Sequence, residues 1–85
     1  MWIVYIIQHD VSKNLYIGFT SDLKRRLLQH NAKTTKSTKR KIGMWHIIYA
    51  EAYRSRSDAV EREKRLKSHG SAKFNLYKRI AGSLL

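Results

Sequence analysis

The sequence predicts an α+β fold: a three-stranded antiparallel sheet flanked by three helices, in the order β-β-α-β-α-α. Three observations predict it. Residues 1–8 and 15–19 are rich in β-branched and aromatic types and flank a short polar turn, the pattern of a hairpin. Residues 44–53 repeat that strand character later in the chain. Between and after these runs, apolar residues recur at helical rather than alternating spacing. At 85 residues the chain is expected to form one domain, 1–85, with a small core.

The first strand is Met-Trp-Ile-Val-Tyr-Ile-Ile-Gln, residues 1–8. His9 to Asn14 supplies Asp, Ser and Asn as turn formers, so a loop of about four residues is expected. Leu15-Tyr16-Ile17-Gly18-Phe19 resumes the strand. Ser21 or Asp22 caps a first helix that runs to about Ala32. Residues 33–43, a Lys/Thr/Ser/Arg stretch ending in Gly43, read as a solvated loop. Met44 to Tyr53 is the third strand. Ser55 or Ser57 caps a second helix that ends with Gly70 in the C-terminal glycine position. Ser71 opens a third helix through Phe74, Leu76, Tyr77, Ile80 and Leu84. No internal repeat or linker interrupts this order.

Composition narrows the function classes. Lys and Arg number 18 against 6 Asp and Glu, a net +12 with neutral histidines. Such a surface attracts a polyanion, since phosphate backbones bind dense Lys/Arg surfaces without sequence preference. The absence of cysteine excludes a disulfide scaffold and any thiolate-held zinc or iron–sulfur site. No apolar run approaches the ~18–20 residues of a membrane span. Met1 leads directly into a patterned strand, so no signal peptide is expected and the expected setting is soluble and cytoplasmic. With 42% apolar and 11% aromatic residues, the chain is too hydrophobic for a disordered basic tail.

Three places break the expected pattern. In the second helix Ala59, Val60 and Leu66 define an apolar stripe, and Glu63 falls about 40° from Ala59, in the middle of it. Glu61 faces solvent. A carboxylate on a buried face is costly unless it is ion-paired or holds a cation, and both readings stand. In the first helix Arg26 and His30 lie one turn apart on the edge of the Leu23/Leu27 stripe, while Lys24 and Arg25 point elsewhere. Such a pair can clamp a phosphate and act as a base, or be an arginine snorkelling over the core edge beside a half-buried histidine. In the hairpin, pairing Tyr5 with Tyr16, or a slip of two, puts both rings on one face. Gly18 lies on that face and leaves a gap beside them. Ring packing is the plain reading, and close approach of a ligand is the other.

Together these positions gather two phenols, an arginine, a histidine and a carboxylate in one small basic domain. That set suits metal-assisted phosphodiester hydrolysis. A carboxylate holds Mg²⁺ or Mn²⁺, which want oxygen and few protein ligands. An arginine neutralises charge growing on the phosphate, and a tyrosine or histidine activates the attacking water.

At this point the sequence resembles the GIY-YIG nuclease superfamily, from Val4 to about Asn75. The second signature triplet is intact as Tyr16-Ile17-Gly18; the first is Ile3-Val4-Tyr5, which keeps the tyrosine and lacks the glycine. Arg26 stands ten residues past Tyr16, at the spacing of the family's catalytic arginine, and His30 follows four later. Ala59-x-x-x-Glu63-x-x-Leu66-Lys67 resembles the helix that supplies the metal-binding glutamate, and Asn75, twelve after Glu63, fits a polar residue near the site. The pattern is most similar to small stand-alone bacterial GIY-YIG proteins and to the GIY-YIG nuclease domain of the bacterial excision-repair endonuclease.

The resemblance implies a divalent-metal-dependent DNA endonuclease, with Mg²⁺ or Mn²⁺ on Glu63. Arg26 would hold the scissile phosphate, and Tyr5 would activate water with help from His30. Tyr16 would orient phosphate or water, and Asn75 would support the site. A phenol near pKa ~10 is a poor base, so Tyr5 needs a nearby metal or cation to lower it. Lys24, Lys33, Lys36, Lys39, Arg40, Lys41 and Lys67 are the expected nucleic-acid contacts. DNA is the expected partner, with RNA left open and no membrane. The alternatives are a nucleic-acid-binding domain with weak or no catalysis and a ribosome-associated structural protein. Protein partners, oligomeric state and the physiological substrate are not written in the sequence.

Overall fold

The computed structural model describes residues 1–36, 43–68 and 70–85, without the side chains of 33–36. Its elements are β1 (Trp2–His9), β2 (Leu15–Thr20), α1 (Leu23–Lys36), β3 (Trp45–Tyr53), α2 (Arg56–Lys67) and α3 (Ser71–Arg79), followed by a 3₁₀ turn over Ala81–Ser83. The strands form one antiparallel sheet in the order β2-β1-β3. The expected α+β order β-β-α-β-α-α is therefore the observed one.

β1 lies between two strands and is covered on both faces, so Val4 to His9 is buried without alternation. That explains its unbroken apolar run, because a strand dry on both sides has no polar phase. Val4, Ile6 and Ile17 face Ala59 and Leu66 of α2 and Leu76 of α3 to form the main core. Tyr5 and Ile7 point to the opposite face, the one α1 covers. The register sets Tyr5 opposite Gly18 and Ile7 opposite Tyr16, so the two tyrosines are related by the slip of two that keeps them on one face. The β1–β3 register shifts between Ile6 and Ile7, where Ile48 is the additional residue.

Local chemistry settles the helix ends. Asp22 caps α1 through Oδ1, which accepts the Arg25 N–H at 3.1 Å. Ser55, not Ser57, caps α2, its Oγ accepting from the Asp58 N–H at 3.3 Å. Three sequence expectations are corrected. α1 continues past Ala32 to Lys36, because Lys33-Thr34-Thr35-Lys36 holds no glycine or proline to stop it. α2 ends at Lys67 rather than at Gly70: Ser68 closes it, with its N–H on the Lys64 carbonyl and its Oγ on the Arg65 carbonyl. Gly70, at φ −120°, has no left-handed geometry and instead precedes α3. α3 stops at Arg79, short of Leu84, and gives way to the 3₁₀ turn around Gly82, a poor helix residue.

The hairpin turn is held by a side chain the sequence presented only as a polar turn residue. His9 is buried, and its Nδ1 accepts the N–H groups of Val11 and Ser12, both at 3.2 Å. The left-handed position in this turn is Lys13, φ 65°. Asp10 then ties the turn to the start of β3. Its Oδ1 accepts from the Met44 N–H at 3.0 Å, and its Oδ2 meets His46 Nε2 at 2.9 Å. Gly43 passes this junction at φ +88°, and a Cβ there would lie 2.5 Å from Asp10 Oδ1. Gly43→Ala is therefore expected to lower unfolding stability by roughly 1–3 kcal/mol, measured by urea titration. Gly70→Ala, whose Cβ would meet only Ser68 Oγ at 3.5 Å, should stay within about 0.5 kcal/mol.

Candidate active site

The face of the sheet under α1 gathers the singled-out polar groups. Tyr5 is 1% exposed, and its ring fills the space that Gly18 leaves open. A Cβ at Gly18 would stand 2.7 Å from the Tyr5 hydroxyl and 3.1 Å from the Tyr16 ring. The Tyr5 and Tyr16 rings stack with centroids 6.4 Å apart. α1 lays His30 against both of them: its ring is 4.6 Å from that of Tyr16, edge-on, and its Nε2 is 3.1 Å from the Tyr5 hydroxyl. Arg26, one turn earlier, brings Nε to 3.4 Å from the same hydroxyl.

Arginine can only donate, so the Tyr5 oxygen accepts from Arg26. The Tyr5–His30 bond follows the His30 tautomer: the phenol donates to a bare Nε2 and accepts from a protonated one. Burial pushes the Tyr5 phenol above its ordinary value; the Arg26 hydrogen bond and charge pull it down, while Tyr16 and Glu63 push it up. The net direction is upward, because desolvation of the phenolate outweighs Arg26. Arg26 is in turn raised, chiefly by its hydrogen bond to Tyr5. Its exposed side borders a polar cleft of about 180 Å³ lined by Thr20, Ser21, Asp22, Arg25, Arg26 and Gln29.

Glu63 enters from α2. Ala59 and Leu66 anchor this helix in the main core. Glu63 is left with a side chain only 16% exposed, paired with Lys67 at 3.2 Å. The Lys67 ammonium sits 6.0 Å over the Tyr16 ring, at the outer edge of β2. The ion-pair reading of Glu63 is the one observed, and the carboxylate also lies close enough to act on Tyr5. Among the described residues no group of three His, Asp or Glu side chains converges as a metal cage. One carboxylate oxygen donor nevertheless suits Mg²⁺ or Mn²⁺, which keep waters and bind through one or two carboxylates.

The other expected site residues divide. Lys24 is exposed on α1. The side chains of Lys33 and Lys36, and Lys39, Arg40 and Lys41 altogether, lie outside the described residues. Asn75 is exposed on α3, about 160° around the helix from Lys73, and no hydrogen bond among the described residues joins it to Tyr5, Tyr16, Arg26 or Glu63. Sequence reasoning missed what locks α1 in place. Asn31 accepts the Trp45 N–H on Oδ1 at 2.8 Å and donates to the Trp45 carbonyl at 3.4 Å. An asparagine inside a helix is the signal, because it loses propensity there unless it bonds across.

Also missed was a polar cluster on the core face, signalled by Glu51 at a two-residue alternation with Tyr49 and Tyr53. Glu51 accepts from both hydroxyls, and Arg62 Nε meets its Oε1 at 2.5 Å. Burial raises the Glu51 carboxyl, but Arg62 and the two phenols together hold it below the usual carboxylate range. Tyr53 is pushed up to about 12, by burial first and then by the carboxylate it faces. A depressed carboxyl stabilises the fold above its unfolded value, and that contribution fades as pH falls through the folded one. Glu51→Gln is expected to cost about 1–3 kcal/mol at neutral pH. In urea titrations the two proteins should converge as pH drops below the ordinary carboxylate range.

Comparison with known proteins identifies the family. The family model described as the GIY-YIG catalytic domain matches residues 1–81. A UPF0213 protein of Haloquadratum walsbyi is 33% identical over 66 residues, covering 78% of this chain and 73% of its own length. One of Desulfotalea psychrophila is 37% identical over 68 residues, covering 78% and 60%. One of Streptococcus pyogenes is 40% identical over 61 residues, covering 71% and 64%. The chain thus spans 60% to 73% of the length of these relatives. No solved structure matches. No described helix is long and apolar enough to cross a membrane. With the family-model match running over residues 1–81, the chain belongs to the GIY-YIG catalytic domain family.

Proposed function

We propose that the protein is a divalent-metal-dependent endonuclease that hydrolyses phosphodiester bonds in DNA. The observation that carries this reading is the Tyr5 hydroxyl, held between Arg26 Nε and His30 Nε2 with Glu63 and Lys67 at the site's border. Family membership supports the nuclease class.

Arg26 binds the scissile phosphate. Its bond to Tyr5 is long at 3.4 Å, so the guanidinium can turn to a phosphate in the polar cleft and leave the phenol oxygen for the attacking water. Tyr5 is a relay rather than a base in its own right, since its raised pKa keeps the phenol protonated at neutral pH. It takes a proton from water as it passes its own to His30. Tyr16, flanking His30, orients the incoming group. Glu63 would hold Mg²⁺ or Mn²⁺, which would supply electrophilic assistance at the phosphate. Lys67 then exchanges its carboxylate partner for a phosphate, and Lys24 extends the phosphate-attracting surface. The Glu63–Lys67 ion pair is the feature that favours a second reading, a binding domain without catalysis.

A nicking assay on supercoiled plasmid and on DNA with a single-stranded gap separates the two. The wild type should nick with Mg²⁺ or Mn²⁺ and stop with chelator. Arg26→Ala and Glu63→Gln should each lose roughly 10²-fold or more in rate, and Tyr5→Phe should fall with them. Equal nicking by all four proteins would expose a contaminant and end the assignment. Salt-sensitive DNA binding with no nicking, unchanged in Glu63→Gln, would establish the binding domain instead.

A further inference from the structure

Beside the site, at the outer edge of β2, lies a second cavity. It has a volume of about 330 Å³ and is lined by Leu15, Tyr16, Ile17, Lys67, Lys73 and Tyr77, at the small end of the range for ligand pockets. Its polar and apolar parts are sorted. Two phenol rings, Tyr16 and Tyr77, stand with the aliphatic Leu15 and Ile17. The charge is all of one sign, with Lys67 over the Tyr16 ring at 6.0 Å and Lys73 over the Tyr77 ring at 5.8 Å. The same motif continues outward along α3, where the Phe74 ring is 63% exposed and carries the Lys78 ammonium at 5.3 Å. Nothing in the proposed hydrolysis uses Lys73, Phe74, Tyr77 or Lys78.

We propose that this cavity receives an unpaired nucleotide of the DNA strand whose scissile phosphate lies at Arg26. The substrate would then be DNA with a single-stranded stretch next to the cut rather than an uninterrupted duplex. The inference rests on the nuclease reading for its direction, because Tyr16 and Lys67 belong to both places and make one path from site to cavity. Its own evidence is the composition of the cavity. Aromatic faces beside apolar side chains offer stacking to any base, and flanking ammonium groups track the backbone. Bases inside a duplex present no such face, since both of theirs are already stacked on neighbours. No acidic side chain lines the cavity, which suits a polyanionic strand and disfavours a basic peptide.

The test is a binding measurement on the full chain in chelator, so that cleavage plays no part. Oligonucleotides carry 2-aminopurine, whose fluorescence responds to stacking, either in single-stranded DNA or paired within a duplex of the same sequence. The single strand should bind roughly tenfold more tightly than the duplex, with a fluorescence change on binding. Tyr77→Leu keeps apolar bulk and removes the ring. It should weaken single-strand binding about five- to tenfold, leave duplex binding within about twofold, and abolish the fluorescence change. Tyr77→Phe should restore all three. If Tyr77→Leu loses its fold by circular dichroism, Phe74→Ala and Lys73→Glu on the helix surface carry the same comparison, each weakening the single strand more than the duplex. Equal or tighter duplex binding, an unaltered single-strand affinity in folded variants, or preference for single-stranded RNA of the same sequence would overturn the proposal. A protein that stacks the strand but does not nick with metal would refute the nuclease reading alone. One that nicks yet binds both forms alike would refute the cavity assignment alone.

Discussion

The central strand is dry on both sides, and much of this small protein follows from that. A strand in the middle of a three-stranded sheet, covered by helices above and below, has no wet face on which to place a polar atom. Tyr5 places one there. A buried hydroxyl without partners is costly, and α1 meets the need by bringing Arg26 and His30 to the same oxygen. The polar centre is therefore also a packing solution. The groups that satisfy the phenol in the resting protein are those suited to phosphate and proton handling.

The two faces of the sheet divide the work. The α2/α3 face holds the aliphatic core and the Glu51 cluster, in which one carboxylate accepts from two phenols and an arginine. Its charge is balanced on the spot. The α1 face is less settled. Arg26 is long-bonded, Tyr16 is half-exposed, and Lys67 spans the edge between Glu63 and an aromatic ring. Low-stability, exchangeable contacts are where binding chemistry is found.

The fold was largely legible in the residues because the strands are unusually apolar and the helices have clear starts. Glu63 and Arg26 stood out by helical periodicity: Arg26 lies at the border where that periodicity placed it, while Glu63, placed mid-stripe, is partly buried and paired with Lys67. Helix ends were less legible. Gly70 looked like a left-handed stop, yet Ser68 closes α2 first through its hydroxyl, a bond that composition does not announce. Tyr5's raised pKa was illegible because it depends on how much of the phenol is desolvated, which is a property of packing. His9 could not be distinguished from an ordinary turn residue, since its role depends on a ring nitrogen reaching two backbone N–H groups. Glu51 was overlooked because its partners come from a strand alternation joined to a separate helix.

The opposition of Tyr5 and Gly18 has a consequence for how this sequence can change over time. The phenol occupies the volume that a side chain at 18 would need. A larger residue at 18 is blocked while the tyrosine remains, and a smaller one at 5 leaves a void while the glycine remains. Each position will look immutable when varied alone. The permitted route is a paired exchange, a smaller residue at 5 with a larger one at 18, which would preserve the volume and delete the phenol. Drift along that route would leave a well-packed descendant whose fold survives and whose chemistry does not.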